Sequence, residues 1–139
     1  MAVPADQGAP LRGVVHHIDL SVCDLAASAP FYEALLGFLG YTRVKQEADL
    51  HVWDLLQGGV ALRAARSARL RDRYSAGLHH LAFHAADRVD VDRAYALMKE
   101  KGAVILDAPA EYPEYGAGYY AAFVSDPDGL KLEVVHFTG

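Results

Sequence analysis

The stretch from His16 to Asp24 reads HHIDLSVCD, and the stretch from His79 to Asp87 reads HHLAFHAAD. Each begins with two adjacent histidines, continues with alternating side chains and has an aspartate seven positions after its second histidine. Four of the seven histidines of the chain lie in these two pairs. The repetition indicates one structural unit used twice, and it raises the question of which histidines have a chemical role.

The segments after the two histidine pairs repeat as well. In each half a predicted strand is followed by a helix, LAASAPFYEALLGF or VDVDRAYALMKEKG, which stops near Gly37 or Gly102. Three segments rich in Val, Tyr, Phe and Leu follow and are typical of strands. The predicted fold is α+β with two β-α-β-β-β modules. The predicted organisation is a flexible tail over 1–13 and a single domain over 14–139, with modules at about 14–64 and 77–137.

Composition favours a folded domain that does not bind nucleic acid. The 139 residues are 53% hydrophobic and 22% charged, with a net charge of −5. One basic run is present, consisting of Arg63, Arg66, Arg69, Arg71 and Arg73. Because it is interleaved with other residues in an acidic chain, we interpret it as a solvated loop or short helix and expect no nucleic-acid partner.

The expected compartment is the cytoplasm. Cys23 is the single cysteine, so no internal disulfide is possible and a reducing environment fits. No apolar run has the length of a membrane span, and MAVPADQGAPLRG lacks the pattern of a signal peptide. We therefore expect no membrane partner.

Side-chain alternation divides each histidine pair. In the first strand His17 and Asp19 share a polar face, whereas His16 shares the apolar face. The second strand divides in the same way between His80 and His79. We therefore expect His17 and His80 to face a cavity, and His16 and His79 to lie at the edge of a core against the helices.

The last strand adds an acidic residue. Leu130, Leu132 and Val134 form its apolar face. This leaves Glu133, with Lys131 and Val135, on the face that matches His17 and His80. Two imidazoles and one carboxylate with open positions suit Fe(II), Mn(II) or a similar divalent ion. The spacing alone is not specific for a metal.

At this point the chain resembles the vicinal oxygen chelate superfamily, which includes glyoxalase I, bleomycin-resistance proteins, fosfomycin-modifying enzymes and type I extradiol dioxygenases. The resemblance rests on HHIDLSVCDLAASAPFYEALLGFLGY, HHLAFHAAD and AAFVSDPDGLKLEVV, and extends from Val14 to Phe137. It implies a cupped mixed sheet with helices on the convex side. It also implies one divalent metal ion (Fe, Mn, Ni, Zn or Co) held by His17, His80 and Glu133, a small-molecule substrate and a homodimer.

Departures from the family pattern leave the reaction open. Aligning the modules at the glycines before their last strands places Arg63 at the position of Glu133, so the first-half glutamate typical of glyoxalase I is absent. Phe123 stands where extradiol dioxygenases and fosfomycin thiol transferases have a tyrosine. Asp19 stands where the fosfomycin enzymes have a threonine.

The same alignment predicts a substrate-binding wall. It pairs Trp53 with Phe123 and places both on the cavity side together with His51 and Tyr119. Ligand pockets are mostly apolar, so an aromatic wall is the expected role. The loop DAPAEYPEYGAGYY before the penultimate strand either closes over the site or is a surface connection.

Polar candidates complete the predicted site. Glu133, Asp19 and His51 are candidate catalytic residues, although Asp19 in a salt bridge and His51 in a partly buried hydrogen bond are the alternatives. Arg63 is a candidate substrate-binding residue, because a guanidinium can hold a carboxylate or phosphonate in a bidentate grip. Its alternative is an exposed position at the sheet edge.

Three functions are compatible with these residues. The first is a metal-dependent enzyme with lyase, isomerase or dioxygenase chemistry on a small oxygen-rich, anionic substrate. The second is a metal-free binding protein of the bleomycin-resistance type. The third is an interaction module with no small ligand, against which the polar strand faces argue. A complete ligand set favours the first.

Overall fold

The computed structural model describes residues 11–70 and 72–139. The predicted N-terminal tail over 1–13 therefore lies mostly outside the described residues, and so does Arg71 of the basic run. Of the connector between the halves, residues 65–70 and 72–79 form neither helix nor strand.

The chain folds as two modules with the same order of elements. Module 1 consists of β1 (His17–Val22), α1 (Leu25–Phe38), β2 (Thr42–Gln46), β3 (Leu50–Leu55) and β4 (Gly58–Ala64). Module 2 consists of β5 (His80–His84), α2 (Arg88–Glu100), β6 (Val104–Glu111), a short 3-10 helix (Pro113–Tyr115), β7 (Tyr120–Ser125) and β8 (Lys131–His136). No helix of the described residues is long and apolar enough to span a membrane.

Each module forms its own four-stranded mixed sheet. The strand orders are β1-β4-β3-β2 and β5-β8-β7-β6, so the first strand of each module is an edge strand. That strand pairs in parallel with the last strand of its module, and the other pairs are antiparallel. The predicted α+β fold with two β-α-β-β-β modules is confirmed.

The aspartates that end the two repeated stretches are helix caps. Asp24 accepts hydrogen bonds from the backbone N–H groups of Ala26 and Ala27, and Asp87 accepts one from Asp90. Side-chain oxygens at this position satisfy N–H groups that have no partner within the helix. The spacing between histidine and aspartate is the same in both modules because, in each, a short strand is followed directly by a helix with an aspartate cap.

Both helices cover one face of the sheets and share a single core. Leu35 and Leu36 of α1 and Met98 of α2 are fully buried in it, with apolar residues from the strands of both modules. The opposite face of the second sheet carries a separate small cluster formed by Ala121, Phe123 and Val135. The sheets therefore have a helix face and a free face, and the free face is where a site has room to form.

Strand β6 extends into the segment that the sequence indicated as a loop. Ala110 pairs with Ala121, and Glu111 pairs with Tyr120. The register shifts between Asp107 and Ala110, where Pro109 lies. Proline is tolerated at such irregularities because it has no N–H to donate to the ladder. The connection to β7 is therefore shorter than the Pro- and Tyr-rich composition suggested.

A buried carboxylate joins the two modules. Asp126, at the turn between β7 and β8, accepts a hydrogen bond of 2.6 Å from the hydroxyl of Tyr32 on α1. Its other oxygen accepts from the backbone N–H groups of Asp128 and Leu130. Asp128 in turn accepts from the backbone N–H of Cys23, at the end of β1. The turn that precedes β8 is thus held against module 1.

Burial is the main cause of the raised pKa of Asp126, and hydrogen bonds from Tyr32, Leu130 and Asp128 partly offset it. Burial and the adjacent carboxylate also raise the pKa of Tyr32, which keeps its hydroxyl a donor. The carboxylate therefore depends on its three donors to remain charged in the core.

Tyr32→Phe is expected to lower the free energy of unfolding by about 1–3 kcal/mol, because the buried carboxylate loses a donor. A folded-state pKa above the unfolded value means that stability falls as pH rises through the folded pKa. The cost should therefore be larger near neutral pH than in mild acid. Urea unfolding at both pH values measures it.

Tyr41→Phe is the matched control, because the hydroxyl of Tyr41 has no hydrogen-bond partner among residues 11–70 and 72–139. Equal costs for the two variants would contradict a specific role of the Tyr32 hydroxyl.

Two glycines fix the approach of β4 to its neighbours. A Cβ on Gly58 would lie 2.0 Å from the carbonyl oxygen of His16, and a Cβ on Gly59 would lie 2.1 Å from that of Trp53. The backbone N–H of Gly59 donates to the His16 carbonyl at 3.0 Å. The glycine pair therefore allows the backbone of the first histidine pair to lie directly against β4.

Gly58→Ala should destabilise the protein by about 1–3 kcal/mol, since backbone atoms must move to admit the methyl group. Gly37→Ala is the opposite control, because an added Cβ meets nothing within 4 Å inside α1. That variant should gain about 0.5–1 kcal/mol from helix propensity. Denaturant midpoints that move in the same direction for both variants would contradict the packing argument.

Candidate metal centre

His80 and Glu133 lie side by side on the free face of the second sheet. β5 pairs with β8 so that His80 is opposite Lys131 and Ala82 is opposite Glu133. This register brings His80 Nε2 to 3.1 Å from Glu133 Oε2. The side chain of Glu133 is 3% exposed, whereas that of His80 is 33% exposed. The carboxylate is therefore at the bottom of the site and the imidazole at its opening.

Tyr119 contacts the other oxygen of this carboxylate through a hydrogen bond. Its hydroxyl donates to Glu133 Oε1 at 2.5 Å. Burial and this hydrogen bond to Glu133 raise the pKa of Tyr119 far above its ordinary value. Tyr119 therefore remains protonated and fixes the orientation of the carboxylate. The sequence predicted only a wall position for Tyr119 and did not predict this contact.

An aromatic wall surrounds the pair. Phe123 lies across from Glu133 in the strand pairing, and its ring centroid is 6.4 Å from that of His80. Further rings continue the wall: Tyr112, Tyr115, Tyr119 and Phe137. Lys131 Nζ lies 4.6 Å from the centroid of the Phe123 ring and adds a positive charge. Alternation had placed Lys131 on this face, but no role was assigned to it.

His17 lies in the other sheet. It opens β1, an edge strand, and its side chain is exposed. Within residues 11–70 and 72–139 no group of three His, Cys, Asp or Glu side chains is placed to hold a metal ion. The described chain thus brings together His80 and Glu133 of the predicted triad and leaves His17 apart.

The first histidine of each pair does not pack against the helices. His16 and His79 are both exposed, contrary to the expectation that their rings border the core. Both residues come directly before the first residue of a strand, where the backbone no longer imposes strict alternation of side chains. His16 Nδ1 lies 2.9 Å from His17 Nδ1, and His79 Nδ1 lies 2.8 Å from His80 Nδ1.

The expected placement of Trp53 and His51 on the cavity side is wrong. Trp53 is fully buried in the core on the helix face, and its indole N–H donates to Glu33 of α1. Arg43 also donates to Glu33 and lies 5.0 Å from the centroid of the Trp53 ring. His51 lies on the same face, with its ring centroid 5.9 Å from that of Trp53.

Burial and the charge of Arg43 lower the pKa of His51, whereas Glu33 raises it. With Pro30, His51 borders a groove between α1 and the first sheet. That groove lies on the helix side of β3, whereas Glu133 lies on the free face of the second sheet. His51 therefore does not face Glu133 within the described chain.

Unequal turns explain the error. Leu55 pairs with Gly58 across a two-residue turn, whereas Ser125 pairs with Lys131 across a five-residue turn. Since His17 is opposite Gly59 and His80 is opposite Lys131, the position equivalent to Glu133 is Ala61. Arg63 does not occupy it. Module 1 therefore has no carboxylate at the position equivalent to Glu133, and the residue at that position is Ala61 and not Arg63.

Asp19 and Arg63 form an ion pair. Arg63 Nε lies 3.3 Å from Asp19 Oδ2, and both side chains are about half exposed, at 52% and 40%. This is the alternative role that the sequence left open for Asp19. Such a pair contributes little to stability in water. Both residues lie on the free face of the first sheet, where the charge of Arg63 is already compensated.

The described chain is thus a protein of two β-α-β-β-β modules, in which the second sheet brings His80 and Glu133 together on its free face. The model of the Glyoxalase/Bleomycin resistance protein/Dioxygenase superfamily matches residues 14–134, and the chain belongs to this superfamily.

Similar proteins cover nearly the whole chain. The uncharacterized protein YqjT of Bacillus subtilis is 34% identical over 87% of this chain and 97% of its own length. The uncharacterized protein YaeR of Escherichia coli is 32% identical over 86% of this chain and 93% of its own. The crystal structure of a protein from Bacillus halodurans, described as an inferred glyoxalase, superposes with a TM-score of 0.78 at 30% identity, covering 91% and 97% of the two chains.

Trp53→Phe is expected to lower the free energy of unfolding by about 1–3 kcal/mol, through the lost hydrogen bond and unfilled volume. It should leave Co²⁺ affinity unchanged, because Trp53 lies on the helix face. Urea unfolding and Co²⁺ titration of the variant check the assignment. Reduced Co²⁺ affinity in stable Trp53→Phe protein would contradict it.

Proposed function

We propose that the chain is a divalent-metal-dependent enzyme whose metal is held by His17, His80 and Glu133, and which acts on a small oxygen-rich substrate. The observation that carries the proposal is the contact between His80 Nε2 and the buried Glu133 Oε2, 3.1 Å apart. The single cysteine, Cys23, is exposed, which supports a reducing compartment such as the cytoplasm.

The carboxylate of Glu133 is buried, and its burial has an energetic cost. Removing a carboxylate from water costs several kcal/mol unless opposite charge and hydrogen bonds compensate. Glu133 has only Tyr119 and His80 as side-chain hydrogen-bond partners among the described residues, and its wall is aromatic. A cation at the place where the imidazole and the carboxylate meet supplies the missing compensation. Imidazole and carboxylate together suit Fe, Mn, Co, Ni and Zn ions.

In this proposal the third donor comes from a second copy of the chain, because the described residues do not group His17 with His80 and Glu133. His17 lies on the edge strand of the first sheet, and His80 lies on the edge strand of the second. Both edges are free of strand partners within the described residues. In a homodimer with twofold symmetry, the first sheet of one copy can face the second sheet of the other, so that the partner subunit's His17 completes each site.

The residues around the site have separate roles in this proposal. A bound divalent ion supplies Lewis acidity toward two neighbouring substrate oxygens. Tyr119 holds Glu133 through Oε1 and leaves Oε2 for the ligand role. Phe123 belongs to the aromatic wall of the site. Lys131 attracts an anionic substrate, with Arg63 and Asp19 facing it from the first sheet of the other copy.

The reaction remains in one of two groups, lyase or isomerase on one side and dioxygenase on the other. Ala61 supplies no fourth carboxylate, which argues against the ligand set of glyoxalase I. The hydroxyl that extradiol dioxygenases carry at the position of Phe123 is missing, but Tyr119 brings a hydroxyl to Glu133 from four positions earlier. This hydroxyl stays protonated and orients Glu133, and it does not decide between the two groups.

A metal-free binding protein is the second candidate, and the aromatic wall favours it. Rings of Tyr112, Tyr115, Phe123 and Phe137 can stack on a planar ligand without a metal. His80 and Glu133 would then form only a hydrogen-bonded pair. Metal content decides between the two candidates.

Protein purified without chelators is expected to contain about one divalent ion per chain, since each site uses one set of three donors. Glu133→Gln should lose the ion, because the neutral amide lacks the charge that compensates it. Elemental analysis of wild type and variant measures both. Wild-type protein that holds no divalent ion and takes up no added Fe²⁺, Mn²⁺ or Co²⁺ supports the binding protein instead.

Complementation tests whether the site is shared. His17→Ala and Glu133→Gln homodimers should both be empty. A heterodimer of the two, purified through different tags, should recover about half of the wild-type metal content, because one of its two sites keeps all three donors. An empty heterodimer that is folded and dimeric would place the three ligands within one chain.

A further inference from the structure

Each predicted ligand histidine has the preceding histidine as a neighbour through the same ring atom. The distances between the two Nδ1 atoms are 2.9 Å for His16 and His17, and 2.8 Å for His79 and His80. The rings meet edge to face in both pairs, with interplanar angles of 88° and 80°. The geometry recurs in two separate sheets, so it is a property of the doublet and not of one local environment.

Two Nδ1 atoms at this distance share one proton. If neither carries a proton the lone pairs repel, and if both carry one the two hydrogens collide. One ring therefore donates and the other accepts. The position of the remaining proton on each neutral ring follows from that choice.

The site determines which ring donates. His80 directs Nε2 toward Glu133, which is the place proposed for the metal. A ligand nitrogen must be unprotonated, so with a metal bound at Nε2 the proton of neutral His80 would lie on Nδ1 and would be donated to His79. His79 accepts through Nδ1 and carries its own proton on Nε2. The same assignment would apply to His17 with a metal bound, because its Nδ1 faces Nδ1 of His16 in the same way.

Packing does not account for the first histidines. His16 and His79 are exposed, so burial of apolar area is not their contribution. Their positions are nevertheless defined. The ring of His79 contacts Tyr74, with 5.5 Å between centroids, and the carbonyl of His16 accepts from the backbone of Gly59. What each first histidine offers is an acceptor nitrogen held beside the second ring.

We infer that His16 and His79 are positioning residues, which fix the tautomer and the ring orientation of His17 and His80 so that each presents an unprotonated Nε2 to the metal. Metal-bound histidines generally donate their other N–H to an oxygen acceptor, and removal of that acceptor lowers metal affinity about 10–100-fold. Here a neutral imidazole takes the place of the oxygen. The inference rests on the proposed metal site.

The test compares Co²⁺ binding by wild type, His79→Ala and His79→Asn. Asn Oδ1 occupies the place of His Nδ1 and accepts a hydrogen bond without offering a second ring. His79→Ala should weaken Co²⁺ binding about 10–100-fold and change the visible absorption of the bound ion, whereas His79→Asn should retain most of both. His16→Ala and His16→Asn should behave in the same way in the other half of the site.

Two further measurements separate positioning from folding. His136→Ala removes a histidine from the opposite face of β8 and should leave Co²⁺ affinity unchanged. In Zn²⁺-loaded wild type, the ¹⁵N shifts of the ring of His80 should show a proton on Nδ1, and the signal should change in His79→Ala. Urea unfolding checks that every variant is folded.

The outcomes are distinct. Wild type that does not bind Co²⁺ overturns the metal site and this inference with it. Wild type that binds, with His79→Ala equal in affinity and spectrum, overturns the positioning role alone. Equal losses in His79→Ala and His79→Asn overturn it too, because an acceptor at that atom then makes no difference.

Discussion

The buried carboxylate of Asp126 is the interaction on which the arrangement of the molecule depends. It accepts the hydroxyl of Tyr32 from one module and two backbone N–H groups from its own turn. The same turn begins β8, which carries Glu133. A charge buried without these donors would be strongly unfavourable, so the turn has one stable conformation and one place against α1. The position of Glu133 is thereby set by a contact near the start of its strand.

Much of the candidate site follows from alternation alone. His80 and Glu133 share a face because each strand sends successive side chains to opposite sides, and parallel pairing of β5 with β8 brings them together. Alternation is a local rule, so it holds for any strand whose identity is correct. The same rule assigned His17 to the matching face of β1, although its distance from His80 and Glu133 depends on how the two sheets associate.

Trp53 and His51 could not be placed from the sequence, because their faces depend on the length of a turn. The glycines before β4 and β8 look equivalent, yet one turn has two residues and the other has five. An error of one residue in β3 exchanges its two faces. The contact of Tyr119 with Glu133 was equally inaccessible, since it joins a residue just before β7 to the middle of β8 through three-dimensional packing.

The short turn between β3 and β4 has a consequence for redesign of the pocket. Because Leu56 and Gln57 alone connect the strands, the register of β3 on β4 is a single adjustable parameter of module 1. The hydrogen bonds of Asp126 hold the turn before β8 in module 2, and a change in the turn between β3 and β4 would leave them in place. A one-residue insertion in this turn would therefore exchange the faces of β3 and take Trp53 out of the core, while the module that carries Glu133 keeps its geometry.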